Sequence, residues 1–137
     1  MEPKINLWYI AGFFDGEGSL AVRIRKDPRY KSGHQILLRI NITQKSKDVL
    51  ELIKKEYPAA KLYFHKRDKL WYLEIYQIEE VSRFCSALHG KVVVKATLLE
   101  KFLRVLEQMK KQKHKTRQGA NEIKNLWMVP ETGANAG

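Results

Sequence analysis

Asp15 and Glu17 are the residues whose type and spacing best suit chemistry, and they close the run Ile10-Ala11-Gly12-Phe13-Phe14-Asp15-Gly16-Glu17-Gly18. Two small residues interrupt an apolar segment, which then ends in two carboxylates alternating with glycines. Small residues let another backbone approach closely, and the glycines allow a sharp change of direction after the run. Carboxylates at the end of such a packed segment can join others to hold a hard divalent cation. Three other readings compete. Gly16-Glu17-Gly18-Ser19-Leu20-Ala21 fits a dinucleotide fingerprint, but that motif must open a helix, and the next residues here alternate like a strand and reach Pro28. Asp15-x-Glu17-x-Ser19 looks like the start of a calcium loop, which needs Gly at its sixth position and Glu at its twelfth; Leu20 and Lys26 stand there instead. The plainest alternative is a helix C-terminus with glycine caps and solvent-facing acids.

The elements that must position these acids alternate between helix and strand. Residues 4 to 14 read as a helix with Pro3 near its start and Asp15-Gly16 at its end. Leu20, Val22 and Ile24 then alternate with Ser19, Ala21, Arg23 and Arg25, the period of a half-buried strand. Asp27 to Gly33 is a polar, basic turn with Pro28 and Gly33 as breakers. In the next strand Ile36, Leu38, Ile40 and Ile42 share one face, with Gln35, Arg39, Asn41 and Thr43 on the other and Leu37 as the exception. Ser46 is placed to cap a second helix carrying Val49, Leu50, Ile53 and Tyr57, stopped by Pro58. A second hairpin sets Leu62 and Phe64 against Lys61, Tyr63, His65 and Arg67, turns near Asp68-Lys69, and sets Trp71, Leu73 and Ile75 against Tyr72, Glu74 and Tyr76. Ile78, Val81, Cys85 and Leu88 mark a third helix ending near Gly90. A fourth, over about residues 92 to 112, carries Val92, Ala96, Leu99, Leu103 and Leu106. An apolar patch at Ile123, Leu126, Trp127 and Met128 suits a short docking helix, and the last few residues are expected to lack fixed structure. There is no internal repeat, and the motif occurs once.

The 137 residues suit one domain with a real core. A formal charge of +11 favours a polyanionic partner. An anionic membrane surface competes for that role, but no apolar run approaches the ~20 residues that span a bilayer. Met1 leads into a mixed polar and apolar segment unlike a secretory signal, so an intracellular, unsecreted protein is expected. The single cysteine, Cys85, excludes an intramolecular disulfide and argues against a cysteine-based zinc cluster. Its place on an apolar helix face reads as a buried, inert thiol.

The charge is concentrated. From Ser19 to Lys45 there are seven basic side chains against one acidic, a local net of +6. An antiparallel sheet packed on helices at one face leaves its other face free to meet a ligand. Arg23, Arg25, Gln35, Arg39 and Asn41 would project from that face, and Lys61, Tyr63, His65, Arg67, Tyr72, Glu74 and Tyr76 would continue it. Arginine pairs bidentately with guanine, and Asn or Gln with adenine, in a major groove that admits a β-ribbon. Most surface charge runs simply solvate a face, but a single sign mixed with amides and tyrosines points to nucleic acid. Lys110, Lys111, Lys113, His114, Lys115 and Arg117 read as non-specific phosphate contacts or a loose tail.

The run from Ile10 to Gly18 resembles the signature of the LAGLIDADG homing endonucleases, position by position with conservative replacements, and the resemblance extends over roughly residues 5 to 112. It implies an α+β fold, an αββαββα core whose four-stranded antiparallel sheet forms a saddle over duplex DNA, with flanking helices. Residues 1–112 would be that core domain and 113–137 a basic extension. One copy of the motif implies a homodimer with two-fold symmetry, the motif helices meeting at Ala11 and Gly12, with Asp15 beside them. A glycine kept purely for packing within the chain is the alternative. The resemblance makes Glu17 the catalytic, metal-binding carboxylate and the Gly16 carbonyl a further metal ligand, while Asp15 ends the helix. Glu17 stands where the family more often has Asp, which lengthens the ligand by one methylene. Gln44 resembles the family's water-positioning glutamine. A basic residue before the last core helix usually completes the site, with Lys91 the first choice and Lys95 the second; either could instead be a plain phosphate contact.

The implied activity is Mg²⁺-dependent, site-specific hydrolysis of both DNA strands at a long, partly palindromic target, by an enzyme of the homing, intron-encoded type. Mn²⁺ would substitute, and Ca²⁺ would support binding without turnover. Two rivals stand beside it. One is an RNA-binding maturase that assists intron splicing, with intron RNA as partner. The other is a DNA-binding protein whose catalytic centre has decayed; Asp15, Glu17 and Gln44 argue against it.

Overall fold

The structure is a computed structural model that describes residues 6–128. The expected helix start at residues 4 and 5 and the end of the tail lie outside that range. The order of elements is α1 (Leu7–Glu17), β1 (Gly18–Lys26), β2 (His34–Gln44), α2 (Lys47–Glu56), β3 (Lys61–His65), β4 (Leu70–Ile75), α3 (Ile78–Leu88), α4 (Ala96–Lys110), a short 3₁₀ turn at Lys113–Lys115 and α5 (Arg117–Met128). The four strands make one sheet in the order β1-β2-β4-β3, and the α+β class and the αββαββα order are as expected. Asn6 caps α1 by accepting from the Trp8 amide at 2.7 Å. The helix runs three residues beyond its expected end at Phe14, so that Glu17 is its last residue and Gly18 its C-cap. A β-carbon at Gly18 would collide with the Phe14 ring. The strand β1 directly after the motif rules out the helix a dinucleotide fingerprint needs.

The chain divides into two compact units. One takes in the chain up to Ala21 together with Leu38–Glu100, the other Val22–Leu37 together with the chain from Lys101 onward. In the first unit Phe14 of α1, Tyr57 at the end of α2 and Phe84 of α3 form an edge-to-face aromatic cluster, with ring centroids 5.2 and 5.4 Å apart. Ile40, Ile42, Leu73 and Ile75 lie buried on the sheet's packed face, and Leu50, Ile53, Val81, Cys85 and Leu88 on the helices are buried too. Cys85 is thus the buried thiol that its helical position suggested. In the second unit Phe102 and Val105 of α4 and Ala120 and Ile123 of α5 are buried, and Trp127 packs edge-on to Phe102 at 5.8 Å.

Three details differ from expectation. Ser46 occupies the N-cap position of α2 but its side chain makes no capping bond. The fourth helix begins at Ala96, not near 92, and its buried stripe is Leu99, Phe102, Val105 and Leu106. Arg67 lies in the turn after β3, because that strand stops at His65. Lys69 closes this turn with a left-handed backbone (φ 57°).

Candidate active site and nucleic-acid interface

The two acids of the motif meet different surroundings. The Asp15 carboxylate accepts hydrogen bonds from the amides of Val93 and Val94, both at 2.9 Å, and of Lys95 at 2.8 Å. These are the residues leading into α4, at the positive end of its dipole. The Lys95 ammonium returns a bond of 2.6 Å to the Asp15 carbonyl. Burial alone would raise the Asp15 carboxyl, but the amide bonds from Val94, Lys95 and Val93 and the Lys95 charge outweigh it and hold it below its usual range. Asp15 therefore ties α1 to the 93–95 segment within its own chain. Glu17, two residues on, is exposed at the last position of α1, and the space beside the Gly16 α-carbon is open.

Of the two candidate lysines, Lys95 stands at the Asp15 end of α1. The Lys91 ammonium lies 5.4 Å over the Trp8 ring. Trp8 is nine residues from Glu17 along the helix, roughly 13 Å at helical rise. The structure thus places Lys91, the first choice, over Trp8 and Lys95 at the Asp15 carbonyl. Proximity in sequence could not make that distinction, since it depends on how the 91–95 loop folds back on α1. Gln44, the last residue of β2, shares the face of Ile40 and Ile42, pairs in register with Trp71 and accepts from the Lys45 amide at 2.8 Å. It lines an open cleft of about 610 Å³ with Asn6, Tyr9, Phe13 and residues of α2.

Among the described residues no three or more His, Cys, Asp and Glu side chains converge on a metal-sized site. The donors present are one exposed carboxylate and one carbonyl per chain. That set fits Mg²⁺, which keeps several waters and binds through one or two carboxylates plus substrate phosphates.

On α1, Trp8 and Tyr9 are 63% and 56% exposed, and the side of Gly12 has nothing within 4 Å of a would-be β-carbon. Ala11, by contrast, is wholly buried in its own chain. Only Gly12 of the expected pair is therefore available to a partner helix.

The polar strand residues fall where alternation put them. Arg23 and Arg25 are exposed and Arg39, Asn41 and Gln35 half-buried, between buried Leu20, Ile36, Leu38, Ile40 and Ile42. In the second unit Arg25 donates to Gln35 at 3.1 Å, and Gln35 to the Tyr30 hydroxyl at 3.3 Å. Sequence reasoning did not single out Tyr30 as a partner of Gln35; its only signal there was an aromatic in a basic turn. In the same turn Asp27 accepts from the Arg29 side chain at 2.7 and 3.0 Å, and these bonds hold its carboxyl down to about 2. In the first unit, register places Asn41, Glu74 and Lys61 in one row and Thr43, Tyr72 and Tyr63 in the next. Tyr63 stacks on Tyr72 at 5.4 Å, and His65 packs against the same Tyr72 ring at 5.5 Å. Lys61 and Arg39 both sit over the Tyr76 ring.

A family model described as LAGLIDADG endonuclease matches residues 10–96. That is more than half of the chain, and the chain belongs to the LAGLIDADG endonuclease family. The DNA endonuclease I-CreI of Chlamydomonas reinhardtii is 29% identical over 112 residues, covering 80% of this chain and 69% of that protein. The crystal structure of the homing endonuclease I-TnaI matches with a TM-score of 0.82 at 26% identity, over 96% of this chain and 91% of that one. The homing endonuclease I-SmaMI bound to cleaved DNA matches with a TM-score of 0.76 at 27% identity, over 90% of this chain but 43% of that one. Family, relative and fold together make this chain a homing endonuclease, a site-specific DNA endonuclease.

Proposed function

We propose that two copies of this chain, joined along α1, hydrolyse one phosphodiester bond in each strand of a long, near-palindromic DNA duplex, with Mg²⁺ as the metal. The observation that carries this reading is Glu17: an exposed carboxylate at the last turn of the family motif, in a strongly basic chain. Glu17 and the Gly16 carbonyl would hold the metal, which when bound would supply Lewis-acid stabilisation of the charge that develops at the scissile phosphate. Lys95 is the site's cation, kept at the end of α1 by Asp15, and Gln44 orients the attacking water.

Dimerisation is supported by the apolar side of α1. A helix apolar all round is ordinarily buried, yet α1 leaves Trp8, Tyr9 and Gly12 exposed. Two copies of the chain also correspond in length to I-SmaMI, of which one copy spans less than half. Arg39, Asn41, Lys61, Tyr63, His65, Tyr72 and Tyr76 contact DNA from the first unit, with Glu74 among them on the same face. Arg23, Arg25 and Gln35 do so from the second. Arg67, in its turn, is a backbone contact. Residues 113–137 act as a basic extension. No helix among the described residues is long and apolar enough to cross a membrane, and an intracellular site of action goes with this reading.

The test is selection of sites from a randomised duplex pool in Ca²⁺, followed by Mg²⁺ or Mn²⁺ added to the bound fraction. A near-palindrome cut on both strands is the expected result. A recovered site left intact would mean a DNA-binding protein with an inactive centre. No enrichment of any duplex would favour structured intron RNA as the ligand.

A further inference from the structure

Arg39 and Glu74 form an ion pair across the two central strands of the sheet, Nη1 to Oε1 at 3.2 Å, with side chains only 23% and 18% exposed. Register puts Ile40 opposite Ile75 and Asn41 opposite Glu74. Arg39 therefore reaches Glu74 along a diagonal, while its guanidinium lies 5.8 Å from the centre of the Tyr76 ring. A guanidinium held by a carboxylate and an aromatic face has lost most of its rotamer freedom. The ion pair engages a single guanidinium nitrogen, and the planar fork carries five N–H donors in all. Glu74 also sets a negative charge in the middle of a face otherwise carrying Arg39, Asn41, Lys61 and tyrosines. For phosphate binding alone such a charge is a cost; for reading bases it keeps the arginine off the backbone.

We propose that Glu74 is a positioning residue for sequence recognition: it aims Arg39 at a purine edge in the major groove and denies it to phosphate. This rests on the reading that the polar face of the sheet meets duplex DNA. Released from Glu74, Arg39 becomes one more mobile cation over the backbone. Specific and non-specific binding should then move in opposite directions.

The experiment compares wild type, Glu74→Gln, Arg39→Ala and the double variant by site selection in Ca²⁺ and by the salt dependence of binding to an unrelated duplex. Glu74→Gln should lower discrimination at one base pair per half-site by roughly tenfold or more. It should also tighten non-specific binding and steepen its salt slope by about one unit per chain, the mark of a gained phosphate contact. Arg39→Ala should lose discrimination at the same base pair, and adding Glu74→Gln to it should change that position no further. Unchanged discrimination in Glu74→Gln overturns the proposal. So does a further loss in the double variant, which would make Glu74 itself the reader, accepting from a cytosine amino group. Failure of the wild type to enrich any duplex would instead remove the DNA reading on which the proposal stands. Thermal melting of each variant separates these effects from simple loss of the fold.

Discussion

The junction of α1 with the segment before α4 and the polar face of the sheet both concentrate charge, and they hold it in opposite ways. At the junction Asp15 is consumed by three amides, and Lys95 by a carbonyl, so the charges lock two segments together. Glu17, two residues along, is left in solvent. On the sheet, charges pair side chain to side chain, Arg39 with Glu74 and Lys61 over Tyr76, while the backbone is satisfied by its own ladder. The difference teaches that neighbouring acids in one motif are not interchangeable. Backbone partners make a carboxylate structural; solvent and open space leave it free for a ligand.

The largest expected effect separates the two acids. Glu17→Gln should lower cleavage by on the order of a thousandfold or more, because a bound metal contributes several kcal/mol of charge stabilisation. Melting temperature and DNA binding should stay near wild type. Loss of binding in that variant would instead give Glu17 a role in folding or in the dimer.

Next comes the frame that carries Glu17. Gly18→Ala drives a methyl into the Phe14 ring and should cost about 1 to 3 kcal/mol, read as a fall in the midpoint of urea unfolding. Asp15→Ala removes the acceptor of three amides and should cost about 2 kcal/mol, the upper end for a lost cap. If its unfolding midpoint matched wild type, the junction would not be what joins α1 to the 93–95 segment.

A smaller effect concerns pH. The folded Asp15 carboxyl is held below its ordinary 3.8, so its contribution is complete above that value and is lost as pH falls through the lowered pKa. The stability gap between wild type and Asp15→Ala should therefore be constant above about pH 4 and close below it. A gap that persists into acid would assign the effect to packing. The smallest change is Lys91→Ala, which removes a cation over Trp8 and should leave cleavage within a few-fold of wild type, an exposed cation–π contact being worth only about 0.5–1 kcal/mol. Lys95→Ala should not be so mild. Equal losses in the two variants would erase the distinction between the lysines.

Much of this was legible in the chain itself. Strict alternation around Ile36, Leu38, Ile40 and Ile42 put Arg39 and Asn41 on the open face, because a strand's period of two leaves no choice once one face is buried. The edge strand was less legible: Phe64, expected to point inward, is 44% exposed, since fewer neighbours cover the rim of a sheet. The motif, the single cysteine and the +11 charge are properties of composition and local order. They were sufficient to indicate the family and a polyanionic partner.

What the tertiary structure alone decided are the partnerships across long stretches of chain. The start of α4 is set by a carboxylate some eighty residues earlier, which no local signal around Val92 could reveal. The same fold sends Lys91 to Trp8 and Lys95 to Asp15, turns Ala11 inward while leaving Gly12 open, and joins Arg39 to Glu74. Sequence periodicity determines which side of an element a residue occupies. Which distant group waits there is fixed only when the elements pack, since hydrogen bonds and ion pairs act over a few ångströms of space whatever the separation along the chain.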